Sequence, residues 1–147
     1  MLKYYTRAWV EEVARRLKTD EKFARDGRRL NGTFAFRIYD CPDGKDRSVI
    51  WTFRDGQVVD WSYEARKAPW EELRTAPFNP QWVMRATATY EMSAELNKGN
   101  ITPMRALTSP QYHIEGSKLM LMQLMKALNA WNEVAASIEC TYEYTQE

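Results

Sequence analysis

Three stretches between Thr33 and Ala65, TFAFRIYD, SVIWTFR and VVDWSYEA, alternate apolar and polar residues. A strand turns successive side chains to opposite faces. Phe34, Phe36 and Ile38 therefore share one face, while Arg37 and Tyr39 take the other. Val49, Trp51 and Phe53 align in the second stretch, and Val59, Trp61 and Tyr63 in the third. Asp55-Gly56 separates the last two, and Asp-Gly between alternating runs is a strong hairpin signal. CPDGKD joins the first two with turn-forming residues. The three stretches predict an antiparallel meander with one heavily aromatic face. Such a face needs a covering layer, and the rest of the chain has to supply it.

The flanking segments read mainly as helices. Leu2, Tyr5, Trp9, Val13 and Leu17 recur at three- and four-residue steps, which predicts an amphipathic helix at the start. Asp20 opens a short turn, EKFARD, that Gly27 closes. RKAPWEELRTAPFNPQ, with Pro69, Pro77 and Pro80, reads as a connection with one helical turn at Trp70 to Leu73. WVMRATATY predicts a fourth strand whose Met84, Ala86 and Ala88 face is small. Thr89 caps a helix through Lys98, with Gly99 where a helix end favours glycine. Thr102 and Pro103 begin a short helix, and Ser109-Pro110 ends it.

The strand YHIEG follows, then a long helix from Ser117 to about Ala136. On a helical wheel, Met120, Leu124, Ala127, Leu128, Trp131, Val134 and Ala135 make one broad apolar face. Met122 and Met125 fall among the polar residues. The tail IECTYEYTQE alternates like a strand, with no legible partner. The order of elements predicts an α+β fold: about five strands, mostly antiparallel, covered on one face by helices.

At 147 residues the chain suits one domain spanning 1–147, with a helical segment at 1–29, a core at 30–136 and a tail at 137–147. A net charge of +1, from 21 basic and 20 acidic residues, leaves no footprint for general nucleic-acid binding. No run approaches the roughly 18 apolar residues of a membrane span. The opening MLKYYTRAWVEEVARR carries acids early and has no apolar run, so a secretory leader is not expected. Cys41 and Cys140 match no metal or redox spacing and read as reduced thiols of a cytoplasmic protein.

The segment ATATYEMSAELNKGNITPMRALTSPQYHIEGSKLMLMQLMKAL resembles the C-terminal half of the sterol carrier protein type 2 family. The shared pattern is a strand, a capped helix ending in Gly99, a short helix begun near Pro103, a strand end with Ile114 and Gly116, and a final helix. NGTFAFRI and IWTFRDGQVVDW resemble that family's opening meander. The resemblance spans roughly Leu30 to Leu128. It departs at Ser117, where the family commonly has Asp, and in the absence of a peroxisomal targeting tripeptide at the end. It implies helices over one sheet face enclosing an apolar tunnel, and binding of a lipid without catalysis. The lipid would be a sterol, fatty acid, acyl-CoA or phospholipid.

On that reading, the expected lining from the sheet is Phe34, Phe36, Trp51, Phe53 and Trp61. The expected lining from the helices is Met104, Leu107, Met120, Leu124 and Leu128. Methionine adapts to varied apolar shapes, which suits ligands of no fixed outline, and it also fills ordinary cores. Met122 and Met125 are candidates for a homodimer face, or for the partner surface of an interaction module with a filled core. Arg15, Arg16, Arg25, Arg28 and Arg29 form a basic region that reads as a membrane-surface contact or as a solvated face. His113 and Glu115 share a strand face opposite Tyr112 and Ile114 and read as solvent-side polar positions or as an acid–base pair; Asp60 likewise reads as the outer face of the third strand. Acting on a lipid-like substrate would need one of these three to face the apolar interior. No nucleophile elbow, phosphate loop or metal spacing occurs, so no cofactor is expected.

Overall fold

A computed structural model of the chain describes residues 1–145. The chain opens with a two-residue strand, β1 (Leu2–Lys3), and helices α1 (Arg7–Leu17) and α2 (Glu21–Asp26). The meander follows as β2 (Gly32–Tyr39), β3 (Lys45–Arg54) and β4 (Gln57–Lys67). A connection bearing α3 (Glu71–Thr75) leads to β5 (Met84–Thr89), α4 (Tyr90–Lys98), α5 (Pro103–Ala106) and β6 (Tyr112–Gly116). Helices α6 (Lys118–Gln123) and α7 (Met125–Ala136) and the short strand β7 (Cys140–Thr141) complete the order. The main sheet runs β4-β3-β2-β5-β6. Its pairs are antiparallel except β2 with β5, which are parallel. The expected α+β architecture is present, with helices over the aromatic face.

Local chemistry accounts for the boundaries. Asp55 and Gly56 both have positive φ, 51° and 80°, as the tight hairpin turn between Arg54 and Gln57 requires. The Thr89 hydroxyl accepts from the Met92 N–H, and Gly99 ends α4 in the left-handed region at φ 79°. Thr102 caps α5 and Ser117 caps α6 in the same way. Gly116 has φ 134°, and a Cβ there would lie 2.5 Å from the Val83 carbonyl oxygen. Only glycine lets β6 end this close to β5.

Three expectations need correction, and the tail, strand-like with no legible partner, gains one. The β3–β4 register shifts so that Phe53 pairs with Val58 while Thr52 pairs with Asp60. The extra residue is Val59, which is 50% exposed, and Val58 packs on the core instead. The first helix begins at Arg7. Leu2 lies in β1, and Tyr5 has a positive φ of 61°. The final helix is broken at Leu124, which leaves helical geometry at φ −95°, ψ 3°. The break sends Leu124 into the core and leaves Met120, Met122 and Met125 exposed, so Met120 does not join the buried face. The tail pairs in parallel with the N-terminus, Leu2 opposite Cys140 and Lys3 opposite Thr141. Gln146 and Glu147, part of the tail's alternation, lie outside the described residues.

The helical layer is centred on Trp131 of α7. Its ring meets Phe34, Phe36, Trp51 and Phe53 edge-on, at centroid distances of 5.8, 5.4, 5.6 and 4.9 Å. Such pairs each add about 0.5–1.5 kcal/mol beyond the burial of their area. Val10 and Val13 of α1 and Phe23 of α2 are fully buried in the same core.

The opposite sheet face is covered in part by the proline-containing connection, which packs over Arg37 and Arg85 while Asp60, Ser62, Glu64 and Arg66 of β4 and His113 of β6 stay exposed. Arg37 Nη1 donates to the Leu73 carbonyl at 3.0 Å, and Arg85 Nη1 to the Ala76 carbonyl at 2.8 Å. Arg85 also forks onto Glu115 at 2.7 and 3.0 Å. Asp46 is fully buried and accepts from Arg74 at 2.7 and 2.9 Å and from the Trp70 and Asp40 N–H groups, each at 2.9 Å. Burial pushes its carboxyl up, but Arg74 and the two N–H donors outweigh this and hold it below the usual carboxylate range.

Trp131→Ala should therefore cost about 3–5 kcal/mol in urea denaturation. Asp46→Asn should cost about 1–3 kcal/mol, because a fully buried amide cannot accept from Arg74 and from the Trp70 and Asp40 N–H groups as the carboxylate does, while Arg74 keeps Asp40 as a partner. A depressed folded-state pKa contributes stability above the unfolded value of about 4 and loses it as pH falls through the folded value. Acid denaturation should therefore be shallower in Asp46→Asn than in the wild type.

Candidate functional site

A cavity of about 570 Å³ lies between the sheet and helices α1, α4 and α7. This is within the range of small-molecule sites. On the sheet side, Phe36 and Trp51 supply aromatic surface, and Ala86 and Ala88 leave room above β5. Trp9 and Val13 of α1 and Trp131 of α7 form the walls. The small face of β5, legible as Met84-Ala86-Ala88, is thus what opens space beside the large rings of β2 and β3.

The border of the cavity is polar and exposed at Lys98, Asn129, Asn132 and Glu133, so the cavity opens to solvent there. Glu133 is held by Lys22 at 2.7 Å, and Lys98 stacks over the Tyr142 ring at 4.7 Å. The amides of Asn129 and Asn132 face solvent and remain able to bind. One end of the site is a dense aromatic seal. The Tyr4 and Ser93 hydroxyls are 2.8 Å apart, and the Tyr4 ring meets Trp9 edge-on at 4.8 Å. Tyr144 donates to the Tyr4 carbonyl and Tyr90 to the Tyr142 carbonyl, both at 2.7 Å, which ties the tail into the seal. Tyr5 and Tyr112 also line the cavity, and burial raises both of their hydroxyl pKa values, Tyr5 strongly. At ordinary pH these are neutral donors.

Of the ten residues expected as lining, Phe36 and Trp51 reach the cavity. Phe34, Phe53 and Leu124 are buried beside it, and Trp61 and Leu128 are half-buried. Met104, Leu107 and Met120 are exposed, at 80%, 56% and 45%. The expected lining omits Trp131, the small β5 residues Ala86 and Ala88, and the tyrosines Tyr4, Tyr5 and Tyr112, together with Trp9, whose spacing marks only a helix face. The available signal is the density of aromatic residues in KYYTRAW, which a helical spacing alone cannot place around a cavity.

The titratable candidates lie elsewhere. His113 pairs with Thr87 on the outer sheet face and is exposed, Glu115 is engaged by Arg85 on that face, and Asp60 is exposed on β4. None of the three lines the cavity. Burial pushes the Cys41 thiol up to about 11, which leaves it without thiolate character near neutrality. Among the described residues no group of His, Cys, Asp or Glu is arranged to hold a metal ion. Within the basic region, Arg15 and Arg16 pair with Glu12, and Arg25 pairs with Asp26. No helix among the described residues is long and apolar enough to cross a membrane.

No protein-family model matches the sequence, and no curated protein matches it. Solved structures do match. A crystal structure of sterol carrier protein 2 superposes with a TM-score of 0.69 at 16% identity, covering 92% of this chain and 99% of that one. A conserved hypothetical protein of Thermus thermophilus gives the same TM-score and identity, covering 96% and 93%. The apo form of sterol carrier protein 2 from Yarrowia lipolytica gives 0.51 at 15% identity, covering 88% and 91%. The chain has the sterol carrier protein 2 fold over most of its length.

The cavity makes a stability prediction of its own. Ala88→Leu places extra carbons in open space and should cost less than about 1 kcal/mol in thermal denaturation. Val49→Phe, in the filled core, should cost about 1–3 kcal/mol or more. Equal losses for the two variants would mean that the space above β5 is closed in solution.

Proposed function

We propose that this protein binds one lipid molecule in the cavity and carries it between membranes, without chemistry of its own. The observation that carries the reading is the pairing of an aromatic and aliphatic interior with an exposed amide and lysine border. An amphiphile suits both parts: its hydrocarbon lies against Phe36, Trp51 and Trp131, and its polar end meets Asn129, Asn132 and Lys98. A fatty acid, acyl-CoA or phospholipid fits this division better than a sterol, whose single hydroxyl would use little of the border. The sterol carrier fold supports the reading as an analogy of form. An acid–base enzyme is disfavoured because His113, Glu115 and Asp60 all lie away from the cavity. An interaction module with a filled core is disfavoured by the cavity itself. The free thiols of Cys41 and Cys140 suit a reducing compartment, and the cytoplasm is the location this reading assigns.

The energetics suit a carrier. Burying about 12 methylenes at roughly 0.8 kcal/mol each gives about 10 kcal/mol against water. Ordering the chain lowers that figure. Against a bilayer the gain nearly vanishes, because lipid tails are as apolar as the cavity wall. Cargo can then load from one membrane and leave to another.

Native mass spectrometry after incubation with palmitate, phosphatidylglycerol or cholesterol tests this. We expect a one-to-one adduct with an acyl lipid, accompanied by a tryptophan fluorescence shift from Trp9, Trp51 and Trp131. Ala88→Phe should weaken the adduct by at least about tenfold while the fold persists by circular dichroism, since it fills a few methylenes' worth of space. No uptake of any of the three lipids would overturn the reading.

A further inference from the structure

We infer that the β6 edge of the sheet, with the helices at its two ends, is a docking surface for an anionic lipid bilayer. Helix α5 precedes β6 and α6 follows it, and β6 is an edge strand. Met104 and Leu107 are exposed at one end of that strand; Leu119, Met120, Met122 and Met125 are exposed at the other. They are six of the eight large apolar side chains that are exposed among the described residues. Around α6 only Leu121 and Leu124 turn inward, so this short helix shows apolar surface on most of its circumference. Apolar surface concentrated in this way marks an interaction site.

The charges select the partner. Within 102–128 the exposed ionic side chains are Arg105, Lys118 and Lys126, all cationic, and the segment's one acid, Glu115, is held on the outer sheet face by Arg85. Lys126 reaches Asp26 at 3.6 Å yet stays 80% exposed. Arg105 shares a surface depression with Glu91 and Glu95 of α4, so the α6 end is the more cationic of the two. A second copy of this chain would set like charges against each other. An anionic bilayer takes both parts, with methionine and leucine side chains among the acyl chains and lysines at the phosphates. Methionine suits a surface without fixed shape. Pro103 borders the cavity, and the next residue, Met104, is on this surface, so the docked edge adjoins the cavity. The surface itself does not depend on what the cavity holds. It also differs from the N-terminal arginine region, where three of the five side chains are already paired with acids.

Vesicle flotation tests the assignment, using phosphatidylcholine alone and phosphatidylcholine with phosphatidylglycerol in equal parts. The full-length protein should float with the anionic vesicles, much less with the neutral ones, and less as salt rises. Leu119→Glu/Met122→Glu should abolish flotation. Lys118→Glu alone should weaken it about fivefold or more, one basic residue near a charged surface being worth about that factor. Both variants change exposed residues, and each should keep the wild-type melting temperature and the wild-type palmitate adduct. Flotation unchanged in the double variant would overturn the inference, as would no flotation of the wild type. Sedimentation that shows a wild-type dimer broken by Leu119→Glu/Met122→Glu would assign the face to a second copy instead. Because the adduct is read separately, a failure here leaves the cavity proposal standing, and a missing adduct with intact flotation does the reverse.

Discussion

One indole holds the helical layer at its height above the sheet. Trp131 stands edge-on to four rings contributed by β2 and β3, and α7 cannot approach or withdraw without losing all four contacts. The neighbouring strand, β5, offers only Ala86 and Ala88 at the same level. A helix layer set by large rings on one side leaves a gap over small side chains on the other. The cavity follows from this mismatch in side-chain size within one sheet.

The outer face solves a different problem. Arg37, Arg85 and Arg74 are paired with Glu115, Asp46 and Asp40 and with carbonyls of the connection. The buried members, Arg37, Arg85 and Asp46, each have partners in good geometry, as buried charges must. This fastening fills the centre of the outer face with paired charges, and the open space of the fold lies on the aromatic face.

Much of this was legible in the chain. The three alternating strands, the Asp55-Gly56 turn and the caps at Thr89, Thr102 and Gly99 are local effects, and local effects are written in short stretches of residues. The rest depended on distant partners. Val58 and Val59 are chemically alike, so alternation could not say which one bulges. Nothing in SKLMLMQLMKAL, which has no glycine or proline, marks the break at Leu124. Alternation put Arg37 on the face opposite the rings, but nothing local showed that the connection with Leu73 would cover it. The cavity was legible on its sheet side, through Phe36 and Trp51. Its tyrosine seal was not, because Tyr5 sits outside the helix that its spacing suggested, Tyr4 carried no signal of its own, and the tail that packs on them had no readable partner.

The bulge at Val59 has a consequence for the protein in a crowded solution. β4 is eleven residues long and forms one border of the sheet. A flat border of that length would present a row of unpaired peptide groups to any other extended chain. The extra residue twists the strand out of that plane, and Asp60, Glu64, Arg66 and Lys67 give the border charges of both signs. Recruitment of a foreign strand is opposed there by shape and by charge together.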